Sequence, residues 1–394
     1  MKKSVLLDMR YAFIQAVYLM LFCATVGYAS VFLLNSGFNN SMIGIVLSLS
    51  NVFAVILQPL VASYMDRTTK ITLSQLVSYA VIGMGVVSFL VYILAGVQIA
   101  LLIFVIALFT SVITLMPFVN SLSFAFEKRG YDINFGLARG IGSASYAVTS
   151  LVLGNVLESY DASMLPIFYI VISVILWYSV FSFKVPKGVE VIEEEVVEEK
   201  KEQLSLGQFF KKYSKFMFLL LGVVFVYFDH TMINNFFIQI IENVGGTSSD
   251  MGNAVFLAAL VELPTMAIFA KLCKKIDCGK LLIISGIFYS VKHVLTFFAT
   301  SVTMIYIAQS IQILAYALFI PASVYYVSKL VDRSDLTKGQ AMMTGAMTLS
   351  GVFASLLGGI LLDVVGASNM LLIGAILSVI GSIIMFFTTE KVEK

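Results

Sequence analysis

The chain has 394 residues, of which 59% are hydrophobic and 12% are charged, and its formal net charge is +2. Soluble domains carry about 25% charged residues, so the composition excludes an ordinary soluble protein. The basic residues are spread over short loops, without a stripe or a known binding motif, which argues against a nucleic-acid partner. The composition indicates an all-α membrane protein that contacts membrane lipid.

Apolar blocks recur along the whole chain, and each is long enough to cross a bilayer as a helix of about 20 residues. We predict twelve transmembrane helices. They cover residues 11–35, 42–65, 71–95, 98–126, 134–157, 163–184, 214–241, 250–273, 280–299, 301–329, 339–362 and 367–388. The first block is too long for the apolar core of a signal peptide, so it is predicted to be the first spanning helix.

One connection is longer and more polar than the others. Residues 185–213 contain the run EVIEEEVVEEKKEQ, which predicts a solvated linker or a short surface helix. The linker separates an N-terminal six-helix bundle, residues 1–184, from a C-terminal six-helix bundle, residues 214–394. The loops MDRTTK (65–70) and KKIDCGK (274–280) occupy corresponding places in the two halves. This weak internal similarity predicts two pseudo-symmetric bundles.

Lys and Arg residues concentrate on alternate loops, and such loops lie in the cytoplasm. Lys2 and Lys3 precede the first helix, and the linker with its edges carries seven lysines. The loops on the opposite side contain acids but no Lys or Arg. The sequence therefore predicts a multi-pass protein of the inner (plasma) membrane with both termini in the cytoplasm.

Four strongly charged residues remain inside the predicted helices: Arg139, Asp229, Glu262 and Lys292. A charge at the bilayer centre costs about 2.5–3.5 kcal/mol on insertion scales, so it normally faces the bundle interior or a watery cavity. Two acids and two bases allow two opposite pairs. Structural ion pairing and a functional site are both compatible with this pattern, and we favour the functional interpretation.

Tyr146 follows Arg139 by seven residues, so two helical turns separate a planar donor group from an aromatic ring on one face. A sugar would use the donors for its hydroxyls and the ring for its C–H face, whereas a nucleoside would stack on the same ring. Asn235 follows Asp229 by six residues and lies on the flank of the face that Asp229 occupies. The pattern indicates a solute site without choosing the solute.

Several other groups are interpreted as structural. His230 points about 100° away from its neighbour in the chain, and it and His293 are expected to pack or hydrogen-bond rather than relay protons. Cys23, Cys273 and Cys278 lack metal-ligand spacing and are expected to be ordinary thiols. The sequence predicts no metal site and no cofactor. It contains no nucleotide-binding loop or nucleophile elbow, so an enzyme is not expected.

The helix count, the division into six plus six and the charged loop after the second helix resemble the major facilitator superfamily. Asp66, Arg67 and Lys70 match the superfamily's loop pattern, although its glycines are replaced. The resemblance implies the major facilitator fold and a gating loop at these three positions. It also implies a solute site near the membrane midplane between the two halves, exposed alternately to each side by rocking.

Within the superfamily, the chain resembles the oligosaccharide–proton symporters, the lactose permease group. Four segments carry the likeness: FGLARGIGSASYA, DHTMINNFF, VELP and SVKHVLTFFATS, in the fifth, seventh, eighth and ninth helices. The tenth helix departs from the group, because Gln309, Gln312 and Ala315 stand where its lactose permease has a lysine, a histidine and a carboxylate. The predicted solute-binding residues are Arg139, Tyr146, Asn235, Glu262, Lys292, Gln309 and Gln312.

The resemblance also assigns roles to the acids. The group's seventh and ninth helices lie in the same half, which makes Asp229 and Lys292 the expected structural ion pair. Glu262 has no obvious partner in its own half and is expected to bind solute and to exchange the proton. Asp229 is the second candidate for proton coupling, since a carboxylate can couple only if its proton affinity changes with its surroundings.

The predicted function is secondary active transport of a small polar solute, a sugar or glycoside, by proton-coupled symport with alternating access. The expected partners are the solute, a coupling proton and lipid, and the chain is expected to act as a monomer. Alternatives are an exporter of drug-like or lipid molecules, which would use the many Phe and Met residues, and a nucleoside symporter. A transport-like sensor is the remaining alternative.

Overall fold

The structure, a computed structural model, describes residues 2–3, 5–68, 70–127, 131–183 and 204–392. These residues are almost entirely helical. Two short strands, Lys2–Lys3 and Tyr131–Asp132, pair in parallel. The chain divides into two compact units, Met1–Val196 and Val197–Lys394. The division falls within residues 185–213, the predicted linker, and residues 184–203 lie outside the described part.

The first unit contains six stretches that are long and apolar enough to cross a membrane, among the residues described. Its α-helices are α1 (Val5–Phe22), α2 (Ala29–Asn35), α3 (Asn40–Arg67), α4 (Leu73–Ile93), α5 (Gln98–Glu127), α6 (Phe135–Ser159) and α7 (Leu165–Ser182). A π-helical turn, Cys23–Gly27, lies between α1 and α2. A 3-10 turn, Ala162–Met164, precedes α7.

The second unit begins with a short helix, α8, that precedes the first membrane crossing of this unit. Its α-helices are α8 (Leu206–Lys212), α9 (Ser214–Asn235), α10 (Phe237–Asn243), α11 (Ser248–Lys275), α12 (Cys278–Phe297), α13 (Val302–Ser310), α14 (Tyr316–Leu330) and α15 (Leu336–Thr388). A 3-10 turn, Ile311–Ile313, interrupts the helix between α13 and α14. Another 3-10 turn, Arg333–Asp335, precedes α15.

The described residues contain eleven helical stretches that could cross a membrane, and the last has 56 residues. An unbroken helix of that size would be about 84 Å long, whereas the hydrocarbon core is about 30 Å thick. Gly366 interrupts this stretch with φ 78° and ψ 171°, a conformation that glycine adopts without steric cost. If this stretch is counted as two crossings, the total is consistent with the predicted twelve. The break falls between the predicted helices 339–362 and 367–388.

Several helices begin at residues whose side chains satisfy free backbone N–H groups. The side chain of Asn39 accepts a hydrogen bond from the backbone of Met42 at the start of α3. Thr72 and Gln75 form a reciprocal capping box at the start of α4. These local signals place the helix starts close to the predicted boundaries.

The interface between α9 and α15 depends on small residues. A Cβ atom on Gly222 would lie 2.8 Å from the carbonyl oxygen of Gly381, and one on Gly381 would lie 2.7 Å from that of Gly222. Further along α15, a Cβ atom on Gly358 would lie 2.8 Å from both Met232 and Phe236. Such close backbone approach needs residues without side chains. The small residues in this part of the chain therefore have a packing role.

Cys273, near the end of α11, and Cys278, the first residue of α12, form a disulfide. The expectation that both are ordinary thiols is therefore wrong. Their Cα atoms lie 5.8 Å apart, which is within the usual range for a disulfide. The turn between α11 and α12 brings them together, and their spacing in the sequence matched no motif. Cys23 is a free, buried cysteine.

Replacing Gly381 with Ala should destabilise the protein by about 1–3 kcal/mol, because the added methyl group would overpack the interface between α9 and α15. The measurement is the thermal denaturation midpoint of the purified protein in detergent. Gly345→Ala is the matched control in the same helix, since its Cβ atom would meet nothing within 4 Å. The control should be neutral or stabilising. Equal midpoints for the two variants would contradict the close approach.

Candidate functional site

A polar group inside the first unit joins α1 to α5. Gln15 is buried and donates through Nε2 to the hydroxyl of Tyr11 at 2.7 Å and to Oδ1 of Asn120 at 3.0 Å. Its Oε1 atom is buried and has no hydrogen-bond partner among the described residues. An unsatisfied buried acceptor is costly. The group therefore leaves one buried acceptor of α1 without a donor from the described residues.

Arg139 and Tyr146 are both half-buried on α6. The charge of Arg139 acts on Tyr18 of α1, and no carboxylate of the described residues forms an ion pair with it. The hydroxyl of Tyr146 lies against Gly27, where a Cβ atom would be only 2.7 Å away. Gly27 ends the π-helical turn Cys23–Gly27, and such turns frequently occur at functional sites.

Lys292 of α12 and Glu262 of α11 are connected through Gln312. Lys292 is fully buried, and its Nζ donates to Oε1 of Gln312 at 2.5 Å. Gln312 also hydrogen-bonds Glu262, and it must donate to Glu262 when the carboxylate is ionised, because a carboxylate can then only accept. The 3-10 turn Ile311–Ile313 carries Gln312. The structure thus brings three of the predicted solute-binding residues together.

A second buried pair lies between α9 and α12. Asp229 and His293 are both fully buried, and Oδ2 of Asp229 lies 3.2 Å from Nδ1 of His293. The same nitrogen lies 2.7 Å from Oγ of Ser378 on α15. Gly374 leaves room for the acid, since a Cβ atom there would overlap Oδ1 of Asp229. The close packing of α9 on α15 therefore encloses the carboxyl group.

The predicted direct ion pair between Asp229 and Lys292 needs correction. In the described part of the chain these side chains form no ion pair: Lys292 donates to Gln312, and His293 faces Asp229. Consecutive residues of a helix point about 100° apart, so only one of Lys292 and His293 can face α9 directly. The charge of Lys292 still interacts with both Asp229 and Glu262.

Aromatic rings surround His230 next to these acids. The ring centroids of Tyr227, Tyr289 and Tyr316 lie 5.6, 5.0 and 5.6 Å from that of His230. Glu262 acts electrostatically on Tyr227 and Tyr289. The cluster combines a half-buried carboxylate with several flat rings, which is suitable for a polar solute with apolar faces. Sequence reasoning did not select these tyrosines.

The remaining predicted residues occupy separate positions. Asn235, at the end of α9, donates to Oγ of Ser355 at 2.8 Å. Gln309 is buried near the end of α13. Arg67 ends α3, and both Arg67 and Lys70 are exposed. The side chain of Asp66 lies outside the described part, so the gating loop stays a prediction.

Comparisons with known proteins agree with the architecture. The model of a family described as the MFS_1 like family matches residues 11–373. The uncharacterized transporter YwbF of Bacillus subtilis (strain 168) is 25% identical over 390 residues, which cover 94% of this chain and 91% of that protein. The maltose permease of Geobacillus stearothermophilus is 23% identical over 360 residues, covering 90% of this chain and 87% of that protein.

Solved structures show the same fold. A point mutant of the nucleoside transporter NupG superposes with a TM-score of 0.80 at 14% identity, covering 98% of this chain and all of that chain (100%). A D-xylose-proton symporter gives a TM-score of 0.72 at 12% identity, covering 98% and 99%. The fold and the matches define a membrane transporter of the major facilitator superfamily, as predicted. The chain belongs to the MFS_1 like family.

Lys292→Met should lower the stability of the protein by about 3–5 kcal/mol, because removing one partner of a buried charged group strands the others. Gln312 connects Lys292 to Glu262, so adding Glu262→Gln should restore more stability than adding Asp229→Asn. The measurement is the denaturation midpoint of the single and double variants at one pH. Greater recovery with Asp229→Asn would support the direct ion pair predicted from the sequence.

Proposed function

We propose that the protein is a secondary active transporter that takes up a small polar solute, a sugar or glycoside, by proton-coupled symport. The observation that carries this proposal is the buried ionisable group of the second unit, formed by Asp229, Glu262 and Lys292. Charged side chains inside a membrane are costly and usually serve a transport pathway. The family match supports the same class of function.

The solute class is inferred from the surroundings of Glu262. A carboxylate accepts hydrogen bonds from hydroxyl groups, and the rings of Tyr227, Tyr289 and Tyr316 offer apolar faces nearby. In the first unit, Arg139 and Tyr146 supply donors and a ring of the same kind. Two similar proteins also support a sugar: the relative is a maltose permease and the structural neighbour a D-xylose-proton symporter.

Proton coupling is assigned to the acids because the amides of the tenth crossing cannot carry a proton at neutral pH. Gln309 and Gln312 are neutral donors and acceptors. Glu262 and Asp229 are the two candidate coupling groups in the same unit. A change in the surroundings of either acid, caused by solute or by a conformational change, would alter its affinity for a proton.

The proposed function predicts uptake driven by a proton gradient in liposomes that contain only the purified protein. Maltose, D-xylose and nucleosides are tested separately, and thermal stabilisation by each identifies those that bind. Glu262→Gln should abolish gradient-driven accumulation. Glu158→Gln, which changes an exposed acid at the end of α6, is the matched control and should retain it.

If the uptake of every solute that binds is independent of the proton gradient, proton coupling is refuted. Accumulation in the direction opposite to the proton gradient would indicate an exporter. If nucleosides bind and sugars do not, the solute class is nucleosides instead of sugars. The proposed transport mechanism is unaffected by that result.

We also propose that the protein lies in the plasma membrane, with both termini and the linker on the cytoplasmic side. Single cysteines at Ser159 and Asn369, which are exposed, are introduced after Cys23, Cys273 and Cys278 have been replaced. Both should react with an impermeant thiol reagent added outside intact cells, because their loops contain no Lys or Arg. Labelling at Ser205 from outside would reverse the orientation.

A further inference from the structure

We propose that the exchangeable proton is held by the Asp229–His293 pair, whereas Glu262 stays ionised and binds the solute. The proposal rests on the proposed symport function for the use of the proton. The existence of the proton site itself is independent of transport. Sequence reasoning favoured Glu262 for this role, and the contacts of the second unit lead to the other acid.

The buried acids and bases of the second unit do not balance in number. Lys292 reaches Glu262 through Gln312, so one positive charge balances one negative charge. In the part of the chain that the structure describes, Asp229 then has no cation in an ion pair with it unless its partner His293 is protonated. An ionised carboxylate without compensation is very costly in an apolar interior. One proton, placed on either member of the pair, removes that cost.

Asp229 and His293 both have atoms that can accept the proton. Oδ1 and Oδ2 of Asp229 and Nε2 of His293 are buried, and none of the three has a hydrogen-bond partner among the described residues. Each of these atoms can therefore gain a proton without breaking an existing hydrogen bond. Nδ1 of His293 faces both Asp229 and Ser378. The hydrogen bond with Ser378 orients the ring beside Asp229, so Ser378 is a positioning residue.

Among the described residues, no other group forms an ion pair with Asp229 or His293. On α15 the pair meets Gly374 and Ser378, which are neutral. Six other titratable groups lie near the pair or near the ring of His230, which is beside it. They are His230 and Tyr227 of α9, Glu262 of α11, Tyr289 and Lys292 of α12, and Tyr316 of α14. Lys292 is the one lysine in this set, and it is hydrogen-bonded to Gln312.

The proton site can be tested directly because the chain has two histidines. Histidine-selective isotope labelling of the full-length protein in detergent gives ring signals for His230 and His293, and His230→Asn assigns them. Infrared spectroscopy on the same sample detects a protonated carboxylic acid. Between about pH 5 and 8, where histidine normally titrates, we expect either an imidazolium signal from His293 or a carboxylic acid band from Asp229.

Asp229→Asn should abolish whichever signal is present, because its amide neither carries the proton nor stabilises a charged His293. Asp363→Asn, which neutralises an exposed acid on α15, should preserve the signal. Should Asp229→Asn fail to fold, Asp229→Glu provides the second variant and should retain a shared proton with a shifted signal. Absence of both signals from the wild-type protein would overturn the proposal. A signal that is lost in Glu262→Gln but retained in Asp229→Asn would overturn it as well.

Transport measurements separate this proposal from the proposed function. Asp229→Asn should retain exchange of solute down its gradient but lose proton-driven accumulation, whereas Glu262→Gln should lose solute-induced thermal stabilisation. Full accumulation by Asp229→Asn would overturn the proposed proton site. A wild-type protein that shows the protonated pair but no gradient-driven uptake would refute symport and leave the proton site standing.

Discussion

The arrangement of the second unit depends on the cost of burying charge inside a membrane. Glu262 and Lys292 offset that cost for each other through the amide of Gln312. Lys292 also interacts with Asp229 across the cluster, so the two acids compete for the influence of one cation. A change at either acid therefore alters the electrostatic surroundings of the other.

Helix packing makes this electrostatic arrangement possible. Gly222 and Gly381 allow α9 and α15 to approach until their backbones touch, and Gly374 leaves space for the carboxyl group of Asp229. With a larger residue at Gly374, the acid could not occupy its present position beside His293. The small residues are therefore part of the site as well as of the packing, because they determine how completely the acid is removed from water.

Interruptions of regular helices coincide with the candidate site residues in each unit. In the first unit, the π-helical turn Cys23–Gly27 provides the surface against which Tyr146 lies. In the second unit, the 3-10 turn Ile311–Ile313 presents Gln312 to Lys292. Such interruptions change the direction of side chains that a continuous helix would place elsewhere, and they are local positions at which a helix can bend.

The sequence by itself determined the membrane class and the approximate bounds of the crossings, and it singled out Glu262 and Asp229 as charges inside them, because length, hydropathy and the cost of buried charge are local properties. It selected Lys292 as a partner of Asp229, and their charges do interact, but it did not predict the hydrogen bond from Lys292 to Gln312. Tertiary structure decided that His293 faces Asp229, that Gln312 joins Lys292 to Glu262 and that three tyrosines surround His230. Those contacts depend on the rotation of each helix about its axis, which is set by packing against neighbouring helices and has no signature in the sequence of one helix alone.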